Sequence, residues 1–376
     1  MKIDLILKDA TDRNASDIHL KAGRPPVARI DGKLHDLEGY EILTDSNLND
    51  IIEKIVPERM RELLFEKREL DLSYKPTNLD ARFRVNVFFQ KNHPGLVMRQ
   101  IPSDIPSIDS LGFDSVLKDI VKKEQGLVLV TGPTGSGKST TLAAMINEIN
   151  EFESKHIITI EDPMEFVQTD KKCLINQREV GMDTLSFKEA LRRALRQDPD
   201  IILIGEMRDA ETINIATTAA ETGHLVFSTL HTNDAKQSVN RIINTFPPEE
   251  HYQVRMKLAM VLNAIISQSL LPRKNSNGRI AVQEIMINTS TIRVLIEEGR
   301  IGEIDKVIED SRTFYKMISK NQALFDKWEA GLIEQSDALG ISNNPTDLKL
   351  KMEPAKFAME KEAEKRAIPL GWSKKK

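Results

Sequence analysis

The chain has 376 residues, a length that predicts two or three domains rather than one. Hydrophobic residues make up 40% and charged residues 29%, which is typical of a globular protein, and the net charge of −4 argues against general nucleic-acid binding. One cysteine, Cys173, excludes an intrachain disulfide and a cysteine-based zinc site, and no apolar run is long enough to span a membrane. Because Asp4 stands too early for a signal peptide, we expect a cytoplasmic protein that reaches a membrane only through a partner.

The first hundred residues predict a small α+β domain. Its helices and strands are predicted at 3–13, 16–20, 27–34, 44–64, 70–74, 81–88 and 96–99. Asp31-Gly32 is typical of a hairpin turn. Thr44 or Asp45 is expected to cap the next helix, which Pro57 should interrupt. A Pro-Gly turn is predicted just before the last strand, and a proline-containing linker follows at 101–112.

From about residue 110 the pattern changes to apolar strands separated by helices. Strands are predicted at 127–131, 156–160, 201–205 and 225–230, and helices at 187–197 and 210–222. Strands that are apolar throughout are typical of a parallel sheet covered on both faces. Farther along, helices are predicted at 249–271, 289–298, 303–310 and 313–330, with one strand at 279–285. The charged stretch 353–376 is predicted to be a mobile tail.

The turn after the first apolar strand has the GxxxxGK[ST] spacing of a P-loop. Its residues are Gly132, Pro133, Thr134, Gly135, Ser136, Gly137, Lys138, Ser139 and Thr140. Backbone N–H groups of such a loop, together with the N-terminus of the following helix, bind phosphate oxygens. Lys138 is expected to reach the β- and γ-phosphates and Ser139 to hold Mg²⁺. The alternative is a glycine-rich turn before a helix, and the full spacing after a buried strand argues against it.

Two acidic side chains end predicted strands of the same sheet. Glu206 follows the strand at 201–205, and a carboxylate beside Mg²⁺ can orient or deprotonate an attacking water. Glu161, next to Asp162, ends the strand at 156–160. Because ligands bind at the carboxyl edge of parallel sheets, Glu161 is a candidate for contact with a metal or water. Solvated acids at strand ends are the alternative for both.

Histidines and arginines add candidates with weaker signals. His224 and His231 flank a predicted core strand, and imidazoles near a nucleotide can sense its γ-phosphate; structural or surface histidines are the alternative. Arg82 and Arg84 share one face of a strand in the first domain, and Arg99 lies on another strand. Arginine fingers that contact a phosphate are often supplied by another subunit. Ordinary surface arginines are the default without a family argument.

Four segments occur in an order that resembles the nucleotide motifs of secretion ATPases: Walker A, Asp box, atypical Walker B and His box. They lie at 132–140, 160–163, 204–209 and 224–231, and the stretches 16–20, 82–86 and 265–272 also fit. Within that superfamily the chain is similar to the type IV pilus retraction (twitching motility) ATPases of the PilT/PilU family. The similarity covers about residues 1–350.

The resemblance implies an α/β protein with a PAS-like α+β domain at 1–100, a RecA-like P-loop core at 113–288 and a helical region at 289–352. It implies a homo-hexamer that hydrolyses ATP with Mg²⁺ and acts on an inner-membrane pilus platform protein, so that pilin is withdrawn. The motor would work in the cytoplasm, at the inner face of the cytoplasmic membrane, without inserting into it and without nucleic acid. A paralogous retraction ATPase is a further candidate partner.

The resemblance also implies roles for the candidate residues. Lys138 and Ser139 would bind phosphate and Mg²⁺, and Glu206 would be the catalytic base. Glu161 would assist at the metal or water, the two histidines would be sensors, and the three arginines would be finger candidates.

Two departures from the family pattern bear on the function. Assembly motors of the superfamily are longer and carry a four-cysteine zinc module, so the single Cys173 favours retraction. The stretch 291–298 keeps the Ile-Arg-x-Leu-Ile core of a retraction signature but has Glu297 in place of a second arginine. Because 344–351 resembles PilU, main and accessory motor both stay open. A nucleotide-binding scaffold and a DNA-translocating ATPase are the alternatives, and the 5% aromatic content weakens the second.

Overall fold

The computed structural model describes residues 3–102 and 104–354. The chain divides into two compact units, each made of two segments. Unit 1 comprises Met1–Pro106 and Asn150–Pro199, and unit 2 comprises Ser107–Ile149 and Asp200–Lys376. Within the described residues, no helix has the length and apolar character needed to cross a membrane. The predicted tail at 353–376 lies outside the described residues from residue 355 onward.

The secondary-structure elements are as follows. The strands are β1 (Asp17–Lys21), β2 (Val27–Ile30), β3 (Lys33–Asp36), β4 (Glu69–Tyr74), β5 (Arg82–Gln90), β6 (His93–Ile101), β7 (Gly126–Thr131), β8 (His156–Glu161), β9 (Leu174–Glu179), β10 (Ile201–Ile204), β11 (Leu225–Leu230), β12 (Leu262–Pro272) and β13 (Arg279–Ile287). The α-helices are α1 (Ile3–Asp12), α2 (Asp45–Ile55), α3 (Glu58–Lys67), α4 (Val116–Val121), α5 (Lys138–Phe152), α6 (Phe187–Ala194), α7 (Ala210–Glu221), α8 (Ala235–Ile243), α9 (His251–Val261), α10 (Ser290–Glu297), α11 (Ile304–Asp310), α12 (Arg312–Tyr315), α13 (Lys320–Glu329) and α14 (Gln335–Ile341). Short 3-10 helices span Pro248–Glu250 and Ile301–Glu303, and residues 345–354 are helical.

Unit 1 contains an antiparallel sheet in the order β3-β2-β1-β6-β5-β4. Side chains alternate between its faces, and Phe83, Val85 and Val87 of β5 are fully buried in one apolar core with helices α1 to α3. The N-cap prediction is confirmed, because the Thr44 side chain accepts a hydrogen bond from the Asn47 backbone N–H. The predicted break at Pro57 is also confirmed, since α2 ends before it and α3 begins after it.

The turn before β6 differs from the predicted Pro-Gly turn. Lys91 and Asn92 form the turn between β5 and β6, with φ values of 49° and 67°. Two consecutive residues with positive φ match the twist of the strands they connect, which the Pro-Gly pair at 94–95 would not. Gly95 lies inside β6 instead, opposite Phe88 of β5, and a Cβ at this position would lie 2.9 Å from the Phe88 ring.

Unit 1 also contains the parallel pair β8 and β9, in which Glu161 pairs with Glu179 at the carboxyl end. The strand predicted at 156–160 is therefore confirmed as β8.

Unit 2 contains strands in the order β13-β12-β7-β11-β10. Strands β12, β7, β11 and β10 run parallel, and β13 runs antiparallel to β12. Every residue of β7, β10 and β11 is buried, as expected for a sheet covered on both faces. The predicted strands at 127–131, 201–205 and 225–230 are confirmed. Parallel pairing places the carboxyl ends of β7, β10 and β11 at one edge.

The helix predicted at 249–271 is wrong over its second half. Helix α9 ends at Val261, and residues 262–272 form β12. This stretch is apolar at most positions, a pattern that does not distinguish a buried strand from a buried helix. It lies between β7 and β13 in the sheet, and most of its residues are buried. The helix predicted at 313–330 is two helices, α12 and α13, because Lys316 between them adopts a left-handed conformation.

Candidate functional site

The P-loop sequence forms the turn between β7 and α5. Gly132, Gly135 and Gly137 have φ values of 147°, 77° and 87°, which residues with side chains rarely adopt. A Cβ on Gly132 would lie 2.2 Å from the Gln268 carbonyl oxygen, and one on Gly137 would lie 2.8 Å from Gln268 Nε2. A Cβ on Gly135 would have no other atom within 4 Å. Two of the glycines therefore allow close packing against β12, and the third allows the backbone conformation alone.

Lys138 begins α5 and folds back over this loop. Its Nζ donates hydrogen bonds to the carbonyl oxygens of Gly132 at 3.0 Å and Pro133 at 3.1 Å, and the residue is 9% exposed. Ser136 Oγ is buried and has no hydrogen-bond partner among the described residues. The first turn of α5 carries no acidic residue that would offset the positive end of the helix. An ammonium group, an unpaired hydroxyl and N–H groups at a helix N-terminus fit the oxygens of a phosphate.

The residues present also fit a Mg²⁺ ion bound together with a nucleotide. Mg²⁺ usually keeps several waters and takes one or two protein ligands plus substrate phosphates. No group of three or more His, Cys, Asp or Glu side chains in the described part of the chain could hold a metal ion. The half-exposed hydroxyl of Ser139, in the first turn of α5, is suited to be such a single ligand.

Glu206 lies just beyond β10, at the same sheet edge as the P-loop. Ser228 Oγ and Thr229 Oγ1 donate hydrogen bonds to the carbonyl oxygens of Ile204 and Gly205, directly before Glu206. The Glu206 side chain is 12% exposed, and its carboxylate lies 2.5 Å from Arg208 Nη2 and 3.7 Å from His231 Nε2. The carboxylate therefore forms an ion pair with Arg208 and lies close to the imidazole of His231.

His231 follows β11 and shares this edge. Burial and the nearby Lys138 ammonium lower the pKa of the His231 imidazole, and the Arg208 guanidinium acts in the same direction, while Glu206 opposes it. The neutral imidazole is therefore favoured, and it can either donate or accept a hydrogen bond at a phosphate. The structure thus brings together Lys138, Glu206 and His231.

His224 lies at the opposite end of β11. Parallel pairing with β7 places Leu230 beside Thr131, so the carboxyl end of β11 faces the P-loop and its amino end does not. At about 3.3 Å per residue the strand separates the two histidines by roughly 20 Å. His224 Nδ1 instead contacts the Ala219 carbonyl oxygen at 3.0 Å. Of the two candidate sensors, His231 therefore lies at the P-loop edge and His224 at the other, because the two ends of a strand lie at opposite edges of the sheet.

Glu161 of unit 1 is the last residue of β8. Its carboxylate accepts hydrogen bonds from Thr159 Oγ1 at 2.7 Å and Gln177 Nε2 at 3.3 Å. Burial raises the pKa of the Glu161 carboxyl group to about 7, and the charge of Glu165 acts in the same direction. A carboxyl group that titrates near neutral pH can exchange a proton or bind a metal under working conditions.

The three candidate arginines of unit 1 differ in their partners. Arg99 Nε and Nη2 both lie 2.8 Å from Asp17 Oδ1. Arg82 Nη2 lies 3.9 Å from Glu179, and its buried Nε lacks a hydrogen-bond partner in the described part of the chain. Arg84 lies opposite Arg99 in the β5–β6 register, and its side chain is exposed. No ion pair joins Arg84 to another described residue. Of the three, Arg84 is therefore the most available for a ligand.

Sequence reasoning missed three side chains that contact the candidate residues. Arg208 pairs with Glu206, Gln268 contacts the P-loop, and Glu179 pairs with Arg82. Arg208 lies inside the motif at 204–209, so its spacing of two residues from Glu206 was a usable signal. The other two contacts join residues about a hundred positions apart or more, for which the sequence holds no local signal.

Comparison with known proteins gives consistent matches. The family model described as Type II/IV secretion system protein matches residues 1–325. The chain is 48% identical over 309 residues to the "Type IV pilus retractation ATPase PilT" of Pseudomonas aeruginosa, with 82% of this chain and 89% of that protein covered. It is 37% identical over 350 residues to the "Type IV pilus ATPase PilU" of the same species, with 93% and 91% covered.

Solved structures give a similar result. The crystal structure of the pilus retraction motor PilT with bound ADP matches at a TM-score of 0.85 and 43% identity, covering 93% of this chain and 99% of that one. The ATPase DotB of Legionella pneumophila matches at a TM-score of 0.78 and 28% identity, covering 94% and 95%.

Proposed function

Because the chain belongs to the Type II/IV secretion system protein family, we propose that it is an ATP-hydrolysing motor that powers type IV pilus retraction. The resemblance inferred from the order of the motifs is confirmed, and so is the α/β fold class. The observation that carries the proposal is the convergence of Lys138, Glu206 and His231 at one sheet edge, in a chain 48% identical to PilT. The division into a PAS-like domain at 1–100, a RecA-like core at 113–288 and a helical region at 289–352 is part of the proposal.

ATP binds with its phosphates in the P-loop. Lys138 exchanges the carbonyl oxygens of Gly132 and Pro133 for phosphate oxygens, which offer a full negative charge in place of two dipoles. The backbone N–H groups of the loop and the N-terminus of α5 hold the remaining oxygens. Ser139 is the protein ligand of Mg²⁺, and Glu161 is a second candidate for contact with the metal or its water. When bound, Mg²⁺ neutralises charge that develops on the phosphates.

Hydrolysis uses Glu206 as the base. Its carboxylate, which lies beside Arg208 and His231, orients the attacking water and accepts its proton. His231, whose pKa is lowered by partial desolvation and by the Lys138 ammonium, senses the γ-phosphate through one hydrogen bond. His224 receives no role at the P-loop of its own chain.

The working assembly is a homo-hexamer in which arginines of one subunit complete the site of the next. Arg84 is the preferred finger, since Asp17 already binds Arg99 and Glu179 lies beside Arg82. A guanidinium group that reaches the γ-phosphate offsets the charge of the transition state. The ring acts in the cytoplasm, at the inner face of the cytoplasmic membrane, on a pilus platform protein. Neither nucleic acid nor membrane insertion is part of the proposal.

Two variants test the proposal. Lys138→Ala should lose nucleotide binding, whereas Glu206→Gln should bind ATP but hydrolyse it about 10²- to 10⁴-fold more slowly. Glu329→Gln, which changes an exposed acid at the end of α13, should hydrolyse ATP like the wild type. Retraction of labelled pili should stop in cells that carry either of the first two variants. Normal hydrolysis by Glu206→Gln would refute the role of Glu206 as the base. Normal retraction in cells with Lys138→Ala would refute the proposal that this chain powers retraction.

An accessory role within retraction has one observation in its favour. The match to PilU extends over 93% of the chain and the match to PilT over 82%, although the identity to PilT is higher. Cells that lack this gene but retain a paralogous retraction ATPase separate the two roles. Loss of all retraction would favour a main motor, and weaker retraction would favour an accessory motor. Turnover by the purified chain alone would reject a scaffold without activity.

A further inference from the structure

Gln268 of β12 lies directly beneath the P-loop and is 2% exposed. Its Nε2 donates a hydrogen bond to the Ser136 carbonyl oxygen at 2.7 Å. Its Oε1 accepts hydrogen bonds from Thr141 Oγ1 at 2.7 Å and from Gln283 Nε2 at 2.8 Å. Both the nitrogen and the oxygen of this buried amide therefore form hydrogen bonds. Two of the three partners belong to the loop and the first turn of α5.

We propose that Gln268, supported by Gln283, is a positioning residue that presets the P-loop for a nucleotide. The inference rests on the proposed function of this site. The Ser136–Gly137 peptide is planar and trans, so its C=O and N–H point in opposite directions. Because Gln268 holds the Ser136 carbonyl on the β12 side, the Gly137 N–H must point to the other side, where phosphate oxygens bind.

This peptide needs a restraint because its neighbours allow it to rotate. Gly135 and Gly137 flank Ser136, and both accept backbone conformations on either side of φ = 0. A peptide plane between such residues can turn over, and the N–H would then leave the phosphate side. A Cβ on Gly137 would lie 2.8 Å from Gln268 Nε2, and one on Gly132 would lie 2.2 Å from the Gln268 backbone oxygen, so the loop packs against both the side chain and the backbone of this residue.

Gln283 supports the orientation of the Gln268 amide by donating a hydrogen bond to Oε1. It is 8% exposed, and it pairs with Gln268 in register across β12 and β13. The Ser136 carbonyl oxygen can only accept, so Gln268 presents Nε2 to the loop and Oε1 to Gln283 Nε2 and Thr141 Oγ1. Without Gln283, Ser136 and Thr141 would still favour this orientation, so the effect of removing Gln283 should be smaller than that of removing Gln268.

The test measures the affinity of the full chain for mant-ADP with MgCl₂. Gln268→Met keeps the length of the side chain but cannot donate to Ser136, and it should weaken binding about tenfold or more. Gln283→Met should weaken binding less. Ser267→Ala is the matched control, because Ser267 neighbours Gln268 on β12 and its side chain forms a buried hydrogen bond with Thr131 of β7 rather than with a residue of the loop. Its affinity should equal that of the wild type.

Gln268→Glu adds a readout that a purely structural role would not change. The protonated carboxyl group can donate to the Ser136 carbonyl oxygen, whereas the carboxylate repels it. The loss of affinity relative to wild type should therefore be larger at pH 9 than at pH 6. Thermal unfolding without nucleotide identifies any variant that does not fold. If Gln268→Met does not fold, the affinity of Gln268→Glu at pH 6 and pH 9 tests the inference.

Wild-type affinity of the folded Gln268 variants at both pH values would overturn the inference. Lys138→Ala separates that failure from a failure of the proposed function. If Lys138→Ala loses mant-ADP while the Gln268 variants keep it, only the positioning role is wrong. If Lys138→Ala binds mant-ADP normally, the assignment of the nucleotide site is wrong, and the inference about Gln268 is then wrong as well.

Discussion

Glu161 should make ATP hydrolysis depend on pH near neutrality, because burial raises the pKa of its carboxyl group to about 7. A role at the metal or the attacking water requires the carboxylate, which forms as pH rises through this value. The ionised fraction is about one tenth at pH 6 and about nine tenths at pH 8. Since kcat/KM reports the ionisation of the free enzyme, it should fall by about tenfold from pH 8 to pH 6.

The assay compares kcat/KM for ATP in wild type and Glu161→Gln between pH 5.5 and 8.5. Their ratio cancels the ionisation of ATP and of His231, because both are common to the two proteins. The ratio should rise with pH and level off above pH 8. Thr159→Val removes the hydroxyl that donates to Glu161 at 2.7 Å, so it should raise the pKa further and move the pH dependence upward.

A wild-type to Glu161→Gln ratio that stays constant between pH 6 and 8 would refute this reasoning. A ratio that varies but is unmoved by Thr159→Val would show that another group titrates. Glu165→Gln provides a second check, because the charge of Glu165 also raises the pKa of Glu161. It should move the pH dependence downward, opposite to Thr159→Val.

Three further predictions concern the loop, the core and the assembly. Gly137→Ala should weaken nucleotide binding and cost about 1–2 kcal/mol of stability, because φ is 87° and the new Cβ would lie 2.8 Å from Gln268 Nε2. Burial raises the pKa of Glu284 from 4.5 to about 7, so the wild-type protein should lose about 3 kcal/mol of unfolding free energy as pH rises through this interval. In urea titrations, Glu284→Gln should abolish this dependence of the unfolding free energy on pH. Arg84→Ala mixed with Lys138→Ala should partly restore ATP turnover if fingers act between subunits.

Controls make each of these outcomes decisive. Gly135→Ala has the same kind of φ but open space around it, so it should lose less nucleotide affinity than the change at Gly137. Glu329→Gln should keep the wild-type dependence of stability on pH, and the same slope in Glu284→Gln would contradict the assignment. Absence of rescue in verified mixed rings would count against fingers supplied by another subunit.

The sequence by itself determined the features that depend on short stretches of chain. The spacing of Gly132 to Thr140 after an apolar strand predicted the phosphate loop, because glycine conformations and a helix N-terminus are local properties. Apolar runs predicted the parallel strands, Thr44 predicted a helix start and Pro57 a break, each for reasons that act within a few residues. The order of the motifs then indicated the family, and the comparisons confirm it.

Only the tertiary structure decided which of these residues meet. Residues 262–272, predicted as helix, form β12 and pair with β7. This pairing places Gln268 next to the loop. Strand direction put His231 at the P-loop edge and His224 at the other, although seven positions separate them in the sequence. Partners more than eighty residues away distinguished Arg99, bound to Asp17, from the exposed Arg84. Periodicity records which side chains are buried, whereas the choice of neighbour depends on how distant strands pair, and that information is not local.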